Sequence, residues 1–210
     1  ALEAGRGARR AGAGRAEVDL PADPVLGGYH VFGRRPVQGA EPLHARTLLL
    51  EAGGARAALV LVELLTLPPS LLEAMRARAA AVGVDCVLAV ATHTHSGPGG
   101  YDRAFLPQLV LGRFDEGVES AIVDAFASSL AAAEADLGPA AIASGEAEAI
   151  WLASNRDHRG APTDARLTTL ALERPGGERV ATVVRFAAHP TLLPRSMGPA
   201  GDWPGLLMDR

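Results

Sequence analysis

A chain of 210 residues with 48% hydrophobic and 21% charged residues has the balance of a folded domain with a substantial core, not of a disordered chain. Its formal charge of −4, with acidic and basic residues interspersed, leaves no electrostatic footprint for nucleic acid. The longest apolar run near the start, residues 57–62, stops at Glu63, far short of the ~20 residues a bilayer span needs, and the single Cys86 excludes an internal disulfide.

Residues 1–14 are rich in Ala, Gly and Arg, lack the apolar stretch of a secretory signal and read as weakly structured, with residues 1–11 set apart as a leader. Residues 46–51 and 56–64 read as strands joined by a Gly53-Gly54 hairpin turn. A helix follows, with Ser70 and Glu73 spaced as a capping box, Leu71, Leu72 and Met75 on one face, and Gly83 as a stop. The apolar run 86–91 reads as a buried strand, in which Cys86 would be an inert structural thiol.

That run ends at Thr92-His93-Thr94-His95-Ser96-Gly97-Pro98-Gly99-Gly100. A long helix is predicted over 116–137, with Val118, Ile122, Phe126 and Leu130 on one stripe and Gly138-Pro139 past its end. Strands follow over 140–151, 165–174 and 179–188, the last two joined at Pro175-Gly176-Gly177. The final segment, Pro204-Gly205-Leu206-Leu207-Met208-Asp209-Arg210, reads as a helix start without a body, so the chain is expected to be cut at both ends. Strands alternating with helices and then a hairpin predict an α/β architecture of mixed α+β layers, with buried sheets flanked by helices and the domain incomplete.

Three histidines stand at predicted strand ends. His93 and His95 are two apart, so their imidazoles share a face if the extended conformation persists, and Gly97, Gly99 and Gly100 leave room for sharp turns and a ligand's approach. A lone His-x-His is a weak signal. His189, opening a Pro-containing loop after the last strand, strengthens it, because active sites gather at the carboxyl ends of strands and zinc favours neutral imidazole nitrogens. The bland reading of His189 is a satisfied histidine at a sheet edge.

Gly97 and Pro98 stand where the second half of a His-x-His-x-Asp-His motif would fall, and no Gly-x-Ser-x-Gly elbow occurs. Arg156 after Asn155 could bind a polar head group or stabilise an oxyanion, or else form a solvated pair with Asp157. Glu63 is either a carboxylate orienting a metal-bound histidine or a strand-end marker. Asp202 caps a loop or organises the site, and its spacing does not choose.

Over Thr92 to Tyr101 the chain resembles the neutral/alkaline (non-lysosomal) ceramidase family in its most recognisable motif. The order of Gly14-Arg15-Ala16-Glu17-Val18-Asp19, Asn155-Arg156, His189-Pro190-Thr191 and Gly201-Asp202-Trp203-Pro204-Gly205 is similar as well. The stretch 191–202 departs from the asparagine-rich loop of better-understood members, and Glu63 stands where an aspartate is expected.

The resemblance implies that residues 12–210 are the amino-terminal portion of a catalytic domain, with Zn²⁺ held by His93 and His189. It implies that His95 lines the site near the scissile amide as a catalytic and substrate-binding group, and that Arg156 contacts the head group or the developing oxyanion. The remaining implied ligands, a glutamate and a tyrosine, and an implied catalytic serine lie beyond the segment given, so this chain alone is expected to be inactive. The implied substrate is ceramide or a related N-acyl lipid, cleaved to a fatty acid and a sphingoid base, and a secreted or periplasmic address is suggested. Two alternatives stay open: a zinc hydrolase of the same fold acting on another amide or ester, and a binding domain that kept the fold and lost the chemistry.

Overall fold

A computed structural model of the chain describes residues 9–35, 38–158 and 160–209. The strands β1 (Arg9–Glu17), β2 (His44–Ala52) and β3 (Ala55–Val62) come first, followed by helix α1 (Pro69–Ala80), strand β4 (Cys86–Ala91), and helices α2 (Phe105–Leu111) and α3 (Glu116–Ala135). The short strand β5 (Gly138–Pro139), β6 (Ala141–Glu148), a 3-10 turn at Ile150–Leu152, β7 (Arg166–Glu173), β8 (Arg179–Arg185) and α4 (Asp202–Met208) complete the order.

Five strands form a mixed sheet in the order β4-β3-β2-β1-β5, and β6-β7-β8 form an antiparallel one. The β2–β3 hairpin closes where sequence predicts, because Gly53 and Gly54 both adopt left-handed φ values, 59° and 83°, as a tight two-residue turn demands. β3 and β4 run parallel, and such a pair cannot be joined by a hairpin; α1 provides the crossover.

One face of the large sheet carries α1 and α3, and the other carries the small sheet. On the helical face Leu49, Val60 and Val62 meet Leu71 and Met75 of α1 and the predicted stripe Val118, Ile122, Phe126 and Leu130 of α3, all buried. Each large apolar side chain so removed from water contributes about 1.5–3 kcal/mol. On the opposite face Ala11 and Leu48 pack with Leu172 of β7 and with Val180 and Val183 of β8.

The segment that sequence sets aside as weakly structured is in part a central strand. Residues 9–17 pair with β2 over their whole length; residues 1–8 lie outside the described residues. Small residues are the condition for this packing: a Cβ at Gly12 would fall 2.0 Å from the Ala133 carbonyl oxygen of α3, and one at Gly14 would fall 2.1 Å from that of Ser129. A composition that reads as featureless is what lets a helix backbone lie directly on a strand.

Other expectations change as well. α1 has no capping box: Pro68 is its N-cap, no side chain caps it, and Pro69 starts the helix with the fixed φ that first-turn prolines supply. β4 is an edge strand with one face uncovered among the described residues, so Cys86, Leu88 and Val90 are exposed and only Val87 is buried. A continuous apolar run does not distinguish an edge strand from a central one. α2 is not expected from the sequence pattern, and Gly138-Pro139 does not merely end α3 but adds β5 beside β1.

Candidate metal centre

β4 stops at Ala91, and the chain then crosses over the end of β3 through the bonds of Thr92 N to Val62 O (3.0 Å) and His93 N to Leu64 O (2.9 Å). His93 takes a left-handed φ of 66°, so its pairing with His95 does not arise from a continued strand. The two rings nevertheless meet edge to face, with centroids 5.2 Å apart. Local bonding and burial explain why the loop holds this shape: the Ser96 amide donates to Thr94 Oγ1 at 3.1 Å, and the loop from Thr94 to Tyr101 is buried apart from the half-buried His95.

The glycines of this loop serve the protein's own backbone, not a ligand. A Cβ at Gly97 would stand 2.9 Å from the Glu63 carbonyl oxygen, and one at Gly99 would stand 1.9 Å from that of Leu111. The space expected for a ligand's approach is filled by neighbouring main chain.

His189 follows β8 and reaches the same place. Its ring centroid lies 5.1 Å from that of His93 and 4.8 Å from that of His95, and its Nε2 is 3.1 Å from His95 Nε2. One ligand atom from each of the three imidazoles can be chosen so that all lie within 4.8 Å of one another. His93 Nδ1 sits 2.8 Å from the Leu65 carbonyl oxygen, to which it donates; this fixes the tautomer and leaves Nε2 as a lone pair.

A donor set of three imidazoles is what a borderline-soft divalent ion such as Zn²⁺ takes, and for two of them the surroundings favour the neutral form. Burial first, then the neighbouring His189 and His93 rings and Arg156, pushes His95 down to about 4. His189 is lowered by burial, then by His93 and Arg156. The residues present fit a metal ion.

Arg156 enters from the loop after the 3-10 turn, where Asn155 Oδ1 accepts from the amides of Asp157 and His158, both at 3.0 Å. Its Nη1 lies 3.3 Å from His189 Nδ1. The histidines and Arg156 line a cleft of about 700 Å³ together with Gly28, Tyr29, Thr191, Leu193, Pro194 and Arg195.

Tyr29 was not singled out by sequence. Its ring lies 5.0 Å from His95, and burial followed by the charge of Asp202 raises its pKa. It arrives through long-range pairing, Leu26 bridging Pro98 and the Gly27 amide donating to Gly97 O at 3.2 Å, for which a lone Gly-Gly-Tyr has no local signature.

Glu63 does not face this cluster. Its buried carboxylate accepts from the His44 amide at 2.6 Å and lies 3.3 Å from Arg46 Nη1, and burial raises its pKa. The group that orients His93 is therefore a backbone carbonyl, not the carboxylate that sequence offered.

Residues 43–197, which contain His93, His95, Arg156 and His189, match the profile of the neutral/alkaline non-lysosomal ceramidase, N-terminal family. The chain belongs to that family. It is 29% identical to the neutral ceramidase of Mycobacterium tuberculosis (strain ATCC 25618 / H37Rv), over 85% of this chain and 32% of that protein. With the neutral ceramidase of Pseudomonas aeruginosa PAO1 it is 31% identical over 50% of this chain and 17% of that protein.

Two solved structures share its fold. A ceramidase complexed with C2 superimposes with a TM-score of 0.84 at 25% identity, covering 95% of this chain and 34% of that one. Neutral ceramidase from P. aeruginosa superimposes with a TM-score of 0.82 at 25% identity, over 96% and 35% respectively. The ceramidase-family chain thus spans about a third or less of the length of the relatives it matches. Among its described residues no helix is long and apolar enough to cross a membrane.

Proposed function

We propose that this chain supplies the histidine part of a zinc centre that hydrolyses the amide of ceramide or a related N-acyl lipid to a fatty acid and a sphingoid base. The carrying observation is the convergence of His93, His95 and His189, from strand ends nearly a hundred residues apart, on one point beside Arg156. Family membership supports amide chemistry, and the matched ceramidases support an N-acyl lipid as substrate.

In this reading His93 and His189 hold the ion, His93 through its Nε2 lone pair. His93 is oriented by its Nδ1–H bond to the Leu65 carbonyl, and His189 has its Nδ1 beside the Arg156 guanidinium. When bound, zinc polarises a carbonyl and lowers the pKa of its water from about 15.7 to about 7. His95, neutral at pH 7, holds a proton on one ring nitrogen and presents it to the carbonyl oxygen as negative charge develops there. Arg156 adds fixed N–H donors to the same oxygen; losing one well-placed donor costs about 3–4 kcal/mol of barrier.

A second ligand set, in which all three imidazoles bind the ion, is favoured by the 3.1 Å approach of His95 Nε2 to His189 Nε2. Elemental analysis after dialysis distinguishes the two. We expect the full-length parent to hold about one zinc per chain, lost in His93→Ala and in His189→Ala. Retention in His95→Ala supports the two-histidine reading and loss supports the three-histidine one. Zinc unchanged in both His93→Ala and His189→Ala would end the proposal. Hydrolysis of a fluorescent ceramide compared with shorter N-acyl amides by the longer parent protein tests the substrate.

A further inference from the structure

The loop after β4, with His93 and His95, and the loop after β8, with His189, meet a third segment that touches both. Thr94 Oγ1 donates to the Ala200 carbonyl at 2.8 Å, and the Ala200 amide donates back to the Ser96 carbonyl at 2.9 Å, so Ala200 is fastened on either side of His95. Two residues on, the buried Asp202 carboxylate takes three backbone amides. Oδ1 accepts from Leu192 at 3.2 Å and from Trp203 at 2.7 Å, and Oδ2 accepts from Leu193 at 3.0 Å.

Leu192 and Leu193 are only three and four residues after His189, and the link between them is itself tightened by the Thr191 amide donating to the His189 carbonyl at 3.0 Å. The segment has little room to slide, because a Cβ at Gly201 would fall 2.3 Å from Glu63 Oε1 at the end of β3. Asp202 holds a left-handed φ of 56°, a conformation a non-glycine residue keeps only where its surroundings fix it.

We infer that Asp202 is a positioning residue for His189: through the Leu192 and Leu193 amides it fixes the distance of that imidazole from the His93–His95 pair, with Ala200 as the reference point on the other loop. The inference rests on the proposed metal site for its energetic consequence, but the ring separation it sets is a property of the chain alone. A carboxylate with both oxygens accepting is needed. In Asp202→Asn the shape and the left-handed backbone are kept, since Asn tolerates that region, but one acceptor becomes an NH₂ donor facing an amide. The loop must then release Leu192 or Leu193, and His189 with it.

Titration with Co²⁺, read by its visible absorption, tests this on the whole chain. Asp202→Asn is expected to weaken cobalt binding about 10–100-fold, the usual loss when a group orienting a ligand is removed, and to change the band shape as His189 is displaced. Asp136→Asn is the control, since its carboxylate also takes a backbone amide, that of Ala13 at 2.9 Å, but its partners, Ala13 and Arg174, lie in neither histidine loop. It should lower the melting temperature and leave the cobalt spectrum unchanged.

Wild-type affinity and spectrum in Asp202→Asn would overturn the inference. So would a loss in both variants that merely follows their melting temperatures. If the wild-type chain binds no cobalt, the proposed metal site falls, and the positioning claim is decided by ring-to-ring NOEs between His189 and His93 or His95: their loss in Asp202→Asn upholds it and their persistence refutes it.

Discussion

Along α3, Gly12 and Gly14 of β1 lie so close to the helix backbone that no side chain fits between them, and apolar side chains fill the remaining space. At the cleft end of the same sheet the loops are joined instead by buried polar groups, with Arg34 and Asp202 each taking several main-chain partners. The first region is held by shape, which tolerates no added volume. The second is held by hydrogen bonds that place three imidazoles, and it can loosen without the sheet coming apart.

Gly14→Leu should break the first region outright. With its Cβ 2.1 Å from the Ser129 carbonyl oxygen the helix must lift from the sheet, at a cost of about 3 kcal/mol or more, measurable by urea unfolding or as loss of soluble protein. Any metal binding should disappear only together with the fold.

Arg34→Met tests the second region. Its guanidinium donates to the carbonyls of Arg195 and Met197, both at 2.7 Å, to that of His95 at 3.1 Å and to Ser96 Oγ at 3.0 Å. Leaving these buried and part-buried acceptors unpaired should cost about 2–3 kcal/mol in chemical denaturation and weaken metal retention while the protein is still folded. Equal loss of stability and no effect on metal would show that the polar ties hold the fold and not the site.

The smallest expected effect is on pH dependence. Burial, then the nearby Arg46 and Arg15, lowers the pKa of His44. The unfolded chain therefore takes up a proton before the folded one, so stability is fully present above the ordinary histidine value of about 6.5 and is lost as pH falls below it towards the folded pKa. His44→Gln should flatten part of the fall in melting temperature between about pH 7 and pH 5. An unchanged slope would assign that fall to His95 and His189, whose pKa values are lowered in the same direction.

Periodic elements were legible before the structure. The Gly53-Gly54 hairpin, the α3 stripe and the strands β6, β7 and β8 lie where their patterns place them, because turn chemistry and amphipathic spacing are local. β1 was not legible, since Gly12 and Gly14 have meaning only against α3. The exposure of Cys86 was hidden too, because whether an apolar strand lies at an edge depends on its neighbours. For the site, His93, His95, His189 and Arg156 could be picked out as residue types at loop starts, whereas Tyr29 and Arg34 could not.

The hairpin β2–β3, helix α3 with its apolar stripe, strands β6 to β8 and the presence of candidate imidazole ligands were determined by the amino-acid sequence itself, since periodicity, turn residues and side-chain chemistry act over a few positions. Tertiary structure alone decided that His189 meets His93 and His95, that a carbonyl and not Glu63 orients His93, and that the segment with Ala200 and Asp202 bonds to both histidine loops. Those contacts join residues distant along the chain, and a hydrogen bond of 3 Å depends on where the packed layers set each loop, which no local pattern encodes.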